Sequence, residues 1–333
     1  VRLGIIPSLR NLNRTKNLFL PVELAGKGEI MLSGRQTYLA ACAVAALSVV
    51  GLSQSANAEL AYGITGAAAG GNLISFDTAT PGVATNIGAL TGIVPGQSVR
   101  AIDFRPSNGQ LYALSTASTS YTLYTVNLTN GALTTVGSGT VGTAFPTRVS
   151  MDFDPVNDVI RVVTGGAKNY RINPVTGALI STDADVVYGP GDPNVGTNPP
   201  LPVGVAYDNN FVGASSTTMY LFDFDLDVVS KSTAPNTGIL STVGPAILSG
   251  FLTFDGGVGF DISPSGVAYL SYLFDAPSPA PDVERLGTVN LVTGLVTPIG
   301  DFQFDVLDIS VTIPEPASLS LLSLGALALR RRR

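Results

Sequence analysis

The sequence predicts an all-β fold: a β-propeller of five four-stranded blades, closed by a C-terminal strand that completes the N-terminal blade. Three observations predict it. The central part of the chain is rich in Gly, Thr, Val, Asn and Asp and poor in Lys, Glu and Gln, which suits strands and turns rather than helices. A unit of about fifty residues recurs along it, with four short apolar runs per unit. The first unit lacks its first run, and a matching run stands alone at the far end of the series.

Two segments precede the repeat. Residues 1–30 read as a translated ribosome-binding leader, because Lys27-Gly28-Glu29 would be encoded by a purine-rich stretch just before Met31, the expected start. Residues 31–58 have the three parts of a secretory signal peptide. These are a basic region ending at Arg35, an apolar region from Leu39 to Leu52, and the small-residue site Ala56-Asn57-Ala58. Signal peptidase would cut between Ala58 and Glu59. A lipobox-like Leu39-Ala40-Ala41-Cys42 is followed, not preceded, by its apolar run, which argues against lipidation.

Residues 59–313 form the propeller domain. Its first strands are Ala101-Ile102-Asp103-Phe104, Met151-Asp152-Phe153-Asp154, Val205-Ala206-Tyr207 and Phe260-Asp261-Ile262. Second strands end in Tyr62, Tyr112, Arg161, Tyr220 and Tyr269, and third strands alternate apolar and polar residues, as in Tyr124-Thr125-Val126-Asn127-Leu128. A small turn and a short strand ending in Gly close most units: Asn130-Gly131 to Val136-Gly137, Thr237-Gly238 to Val243-Gly244, and Thr293-Gly294 to Ile299-Gly300. The unit that begins at Glu59 borrows its first strand from Val306-Leu307-Asp308-Ile309-Ser310-Val311, whose Leu-Asp-Ile matches Ile102-Asp103-Phe104. Closure of this kind removes open sheet edges. The rival architectures are a pair of β-sandwiches, or a sixth blade within residues 183–203.

Several of these motifs carry a family resemblance. Ser98-Val-Arg-Ala-Ile-Asp-Phe-Arg-Pro-Ser-Asn-Gly-Gln-Leu-Tyr112, Asn169-Tyr-Arg-Ile-Asn-Pro174, Val205-Ala-Tyr-Asp-Asn-Asn210 and Pro235-Asn-Thr-Gly238 resemble domain-of-unknown-function family 4394. Met151 and Asp154 depart from the Gly-Phe-Asp-Phe-Asn-Pro start usual for its second motif. The resemblance implies export and a propeller-like repeat, and no known reaction.

The tail, residues 314–333, holds Pro314, Glu315 and Pro316, an uncharged run from Ala317 to Leu329, and Arg330 to Arg333. Thirteen uncharged residues fall short of the roughly twenty that span a bilayer comfortably, and flanking arginines snorkel to the cytoplasmic side. Together these parts resemble the PEP-CTERM sorting tail of exopolysaccharide-producing Gram-negative bacteria. That resemblance implies processing near Pro314 by an exosortase, a transient hold in the inner membrane, and then a surface or extracellular location. It gives where the chain goes and not what it does; exopolysaccharide or cell-surface matrix is the expected partner there.

Composition excludes several activities. The chain has no His, so Ser-His-Asp catalysis and His-based zinc sites are out. Its one Cys, Cys42, lies in the signal peptide, leaving no disulfides. Of 18 Lys and Arg, ten lie outside residues 59–313, and of 24 Asp and Glu, three do. The domain therefore holds eight basic and 21 acidic side chains, a balance that repels nucleic acid.

Laying the units over one another aligns Asp103, Asp152, Asp261 and Asp308, with Ala206 breaking the set. First strands line a propeller channel, so these carboxylates offer the hard oxygens that Ca²⁺ takes. They equally suit a structural role, each accepting N–H bonds from the next turn and tying blades together. No cofactor other than calcium is suggested. The aligned tyrosines would either stack on sugars or pack between sheets. Asp223, Asp225 and Asp227 read as a strand with one acidic face, since an EF-hand fails at Val228 and Ala234. Lys168, Arg148 and Arg171 are too scattered for a phosphate site. The functional expectation is a non-catalytic propeller that interacts with matrix; the alternative is a carboxylate-dependent, glycosidase-like hydrolase.

Overall fold

The structure, a computed structural model, describes residues 58–66, 71–196, 200–246, 258–274 and 281–313. Contacts divide the chain at Ser55, and everything described lies in the second unit. The leader, the signal peptide before Ala58 and the tail from Pro314 lie outside the described residues.

Five antiparallel sheets form the ring of the predicted propeller. Blade 1 contains β1 (Leu60–Thr65), β2 (Asn72–Asp77) and β3 (Thr85–Ala89). Blade 2 runs β4 (Ser98–Phe104), β5 (Leu111–Ala117), β6 (Ser120–Val126) and β7 (Leu133–Thr140). Blade 3 runs β8 (Val149–Asp154), β9 (Val159–Thr164), β10 (Asn169–Ile172) and β11 (Leu179–Thr182). After β12 (Val187–Tyr188), blade 4 runs β13 (Pro202–Tyr207), β14 (Met219–Asp223), β15 (Val228–Ser232) and β16 (Ile239–Pro245). Blade 5 runs β17 (Gly259–Ile262), β18 (Ala268–Phe274), β19 (Val283–Val289) and β20 (Val296–Asp301). β21 (Val306–Val311) then joins blade 1 beside β1.

Burial explains the different sequence patterns of inner and outer strands. β8 and β13 are buried at every residue, so even the Ser and Asp side chains of β8 lie inside, whereas β7 and β11 contain only half-buried and exposed residues. The apolar side chains sort into five clusters, one at each interface between neighbouring blades. One cluster joins blade 5 to blade 1, with Tyr269 and Leu286 against Ala61, Ile74 and Ile309. Five interfaces for five blades is what ring closure requires. A sandwich pair would instead bury one core between two sheets.

Closure follows the predicted strand exchange. β21 pairs antiparallel with β1 from Ala61 opposite Val311 to Thr65 opposite Val306. The Thr312 amide then donates to the Leu60 carbonyl at 2.9 Å, and Ile313 is buried in the cluster between blades 1 and 2.

The glycines that mark each repeat have a steric cause. In every outer strand one residue bulges out of register, namely Ile87, Val136, Ile180, Val243 and Ile299. Except in β11, Gly follows it, and that Gly receives the turn of the next blade. Gly137 lies against Thr176 and Gly177, and Gly244 against Thr293 and Gly294, so close that a Cβ would collide with the facing backbone. Gly131 sits likewise under Ala89, whose carbonyl oxygen would lie 2.8 Å from an added Cβ. Gly177 and Gly294 also need the left-handed backbone, at φ 68° and 80°.

Two expectations are corrected. The described residues of 183–203 form no sixth blade: β12 adds a two-residue parallel strand to the outer edge of blade 4, next to Ile239 and Leu240. The segment has Gly and Pro but no alternating run long enough for a sheet of its own. The acidic strand read over residues 223–227 ends at Asp223. Phe224 to Asp227 form the hairpin turn into β15, with Asp227 at φ 50°.

Candidate functional site

Four acids of the aligned set converge on the propeller axis, but not in one register. Asp103 lies opposite Tyr112, Asp152 opposite Arg161, Ala206 opposite Tyr220 and Asp261 opposite Tyr269. In blade 1 the residue opposite Tyr62 is Ser310, so Ser310 occupies the ring position and Asp308 stands two residues before it. A slip of two residues keeps a side chain on the same face of a strand. Asp308 therefore still points inward, which is why the Leu-Asp-Ile match misplaced it.

Each ring residue accepts the amide one position later in the next blade. Ser310 Oγ accepts from Phe104 at 3.1 Å, Asp103 Oδ2 from Phe153 at 2.8 Å, Asp152 Oδ1 from Tyr207 at 3.3 Å, and Asp261 Oδ2 from Val311 at 2.6 Å. A second rung lies two residues earlier. There Asp308 Oδ2 accepts from Ile102 at 2.8 Å and Ser150 Oγ accepts from Val205 at 2.9 Å. Blade 4 has Ala206 and so cannot continue the ring. Its tie to blade 5 comes from Asn210, whose Nδ2 donates to the Ile262 carbonyl at 3.2 Å. The tying role expected of the aspartates is thus visible bond by bond, but the amides come from the first strand of the next blade rather than from a turn, and Ser310, Ser150 and Asn210 are the members that sequence reasoning missed. Only Ser310 left a signal, through its own place two residues after Asp308.

The ring is also an electrostatic problem. Asp103, Asp152 and Asp261 each place a carboxylate oxygen within 4.8 Å of the others. Among the described residues this is the one such gathering of three or more acids. All three are 1% exposed. Burial pushes each of them up, Asp261 to about 6, and Asp103 and Asp152 are raised further by the acids beside them. Asp308 is pushed up by burial as well. Ser310 Oγ lies 2.8 Å from Asp103 Oδ1 and 3.2 Å from Asp261 Oδ2. Asp261 Oδ1 is buried without any hydrogen-bond partner.

The tyrosine set does not form a sugar platform. Tyr112, Tyr220 and Tyr269 are buried, and Tyr62 packs edge-on to Phe104 at 5.7 Å. Tyr112 meets Phe153 of the next blade in the same way, at 5.2 Å. The Tyr269 hydroxyl donates to Glu59 Oε2 at 2.9 Å and so links blade 5 to the start of blade 1. Arg161, the one departure in the set, is a buried inter-blade clamp. It donates to Tyr207 Oη at 3.1 Å, Asn169 Oδ1 at 2.9 Å, Asp183 at 2.6 Å and Asn236 at 2.6 Å.

The three cations read as scattered are engaged locally. Lys168 pairs with Asp185, Arg171 with Asp183, and Arg148 lies over the Phe224 ring. Asp223 accepts from the Tyr188 hydroxyl at 2.7 Å and is not gathered with Asp225 and Asp227 into a site. Neither of the two Glu in residues 59–313 lies on a channel strand. Glu59 precedes β1, and Glu284 sits in β19, buried with neither carboxylate oxygen partnered.

Comparisons with known proteins give the family. The domain of unknown function DUF4394 matches residues 72–310, and the PEP-CTERM protein-sorting motif matches residues 312–333. Such a motif is the signal an exosortase recognises, and it marks the chain for export and cell-surface sorting. No curated protein matches the sequence. Among solved structures the chain is similar to one in a nidogen/laminin complex, at 12% identity over 77% of this chain and 98% of that one, TM-score 0.42. It is similar to an engineered GH43 glycoside hydrolase at 13% identity over 66% and 45% of the two chains, TM-score 0.43. A Bacteroides thetaiotaomicron protein of unknown function follows at 18%, 76% and 60%, TM-score 0.42. At these scores the likenesses carry no argument about ligand or reaction. Matched over more than half its length, the chain belongs to the DUF4394 family and carries a PEP-CTERM sorting signal at its C-terminus.

Proposed function

We propose that this protein is a non-catalytic surface or extracellular propeller that binds matrix or exopolysaccharide. The observation that carries the reading is the PEP-CTERM motif on a domain whose buried acids tie blades together. In this reading signal peptidase releases the chain at Glu59. The apolar run after Pro316 then holds it in the inner membrane until exosortase acts. Among the described residues no helix is long and apolar enough to cross a membrane, and that run lies outside them. The acidic domain suits neutral or cation-bridged glycans better than polyphosphates.

A hydrolase needs an acid pair that substrate can reach. Asp103, Asp152 and Asp261 are walled off by their own blades, which weighs against that class. Retention of the exported protein on native matrix fractions or purified exopolysaccharide is the test. No retention on any fraction would remove the binding reading. Turnover of chromogenic glycosides that is lost in Asp103→Asn would establish the hydrolase instead. Mass spectrometry of the exported form should find Glu59 at its start and no Arg330 to Arg333; a start at Val1 or Met31 would refute the processing scheme.

A further inference from the structure

Three carboxylates facing one another, each 1% exposed, cannot all keep their charge unaided. The bonds they receive come from backbone amides and the Ser310 hydroxyl. The charges that act most on them are those of other acids, Asp308 and Glu59 included. Structural bonding to the next blade explains one oxygen of Asp261 and leaves the other, Oδ1, buried with no partner. A buried acceptor in that state costs stability unless something occupies it.

We propose that Asp103, Asp152 and Asp261, with the Ser310 hydroxyl, form a buried site on the propeller axis for a hard divalent cation of the calcium type. Oxygens no more than 4.8 Å apart leave a centre within about 2.8 Å of all three, close to the 2.3–2.6 Å that Ca²⁺ adopts. The second oxygens of the carboxylates and Ser310 Oγ would supply further oxygen donors. Donor chemistry excludes soft metals, because the set has neither thiolate nor imidazole. The ion would join blades 2, 3 and 5 and the closing strand, so binding would be read as stability of the whole ring. This inference stands on the axis geometry and does not depend on the matrix reading.

The test uses calcium itself on the purified protein. Metal content after dialysis should approach one ion per chain, and Tm should be higher with calcium than with chelator, rising further with calcium concentration. Asp152→Asn and Asp261→Asn should abolish both the stoichiometric ion and the shift. Asp308→Asn, outside the ring register, should keep both. Absence of a bound ion together with equal Tm in calcium and chelator would overturn the site. So would a wild-type-sized shift in Asp152→Asn. Should the ring variants fail to fold, metal content and the calcium shift of the unaltered protein decide alone.

Discussion

A buried acceptor without a partner is worse than an apolar group of the same shape, and Glu284 offers two such oxygens at 3% exposure. Burial pushes its carboxyl well above the usual carboxylate range, and Asp305 adds to the effect. The folded state therefore keeps a proton that the unfolded chain releases near pH 4. Stability contributed in this way is present at low pH and lost as pH rises through the folded value. Glu284→Met removes the cost while keeping the volume. It should raise stability by about 1–3 kcal/mol at pH 8 and by less at pH 5. Thermal melts at the two pH values check this, and an equal change at both would refute the titration argument. Ser150 gives the opposite sign. Ser150→Ala leaves the buried Val205 amide without its acceptor and should cost about 1–3 kcal/mol by urea denaturation.

Within the blades, what was legible was what repeats. Alternation in Tyr124 to Leu128 and the turn glycines placed third and fourth strands, because inner and outer edges differ in burial. The aspartate set was legible as a set, and its bonds to the next blade follow from its inward face. The place of Asp308 was not, since a period of two leaves Asp308 and Ser310 equivalent by face and only pairing with Tyr62 separates them. Nor was β12, a strand too short to show a period. The repeated Gly was visible while its cause was not: a backbone of another blade sits where its Cβ would be. Gly137→Ala should therefore push Thr176 away and cost about 1–3 kcal/mol or more, with Gly244→Ala alike. Gly142→Ala, where nothing lies within 4 Å of an added Cβ, should stay near wild type. Matching losses at Gly137 and Gly142 would refute the seat between blades as the cause, since stiffening the unfolded chain by itself favours the fold.

Closure determines how the whole molecule tolerates export processing. Pairing of Ala61 with Val311 brings Glu59 and Ile313 side by side, so both predicted cleavage boundaries leave the ring at one place. Ile313 is buried between blades 1 and 2, and the Pro314-Glu315-Pro316 triplet begins at the very next residue. Processing at or beyond Pro314 removes no described strand, and the processed and unprocessed forms should melt together. Removing β21 is different. A chain ending at Gly300 keeps most of blade 5 but leaves blade 1 three-stranded. It also strips Val306, Ile309 and Val311 from the cluster joining blade 5 to blade 1, and frees the β1 edge to pair with another molecule. Asp261 and Asp103 would lose the Val311 amide and the Ser310 hydroxyl in the same step. That chain should aggregate or melt far below one ending at Ile313. Equal melting temperatures for the two would show that blade 1 is stable without its borrowed strand, and the closure argument would fall.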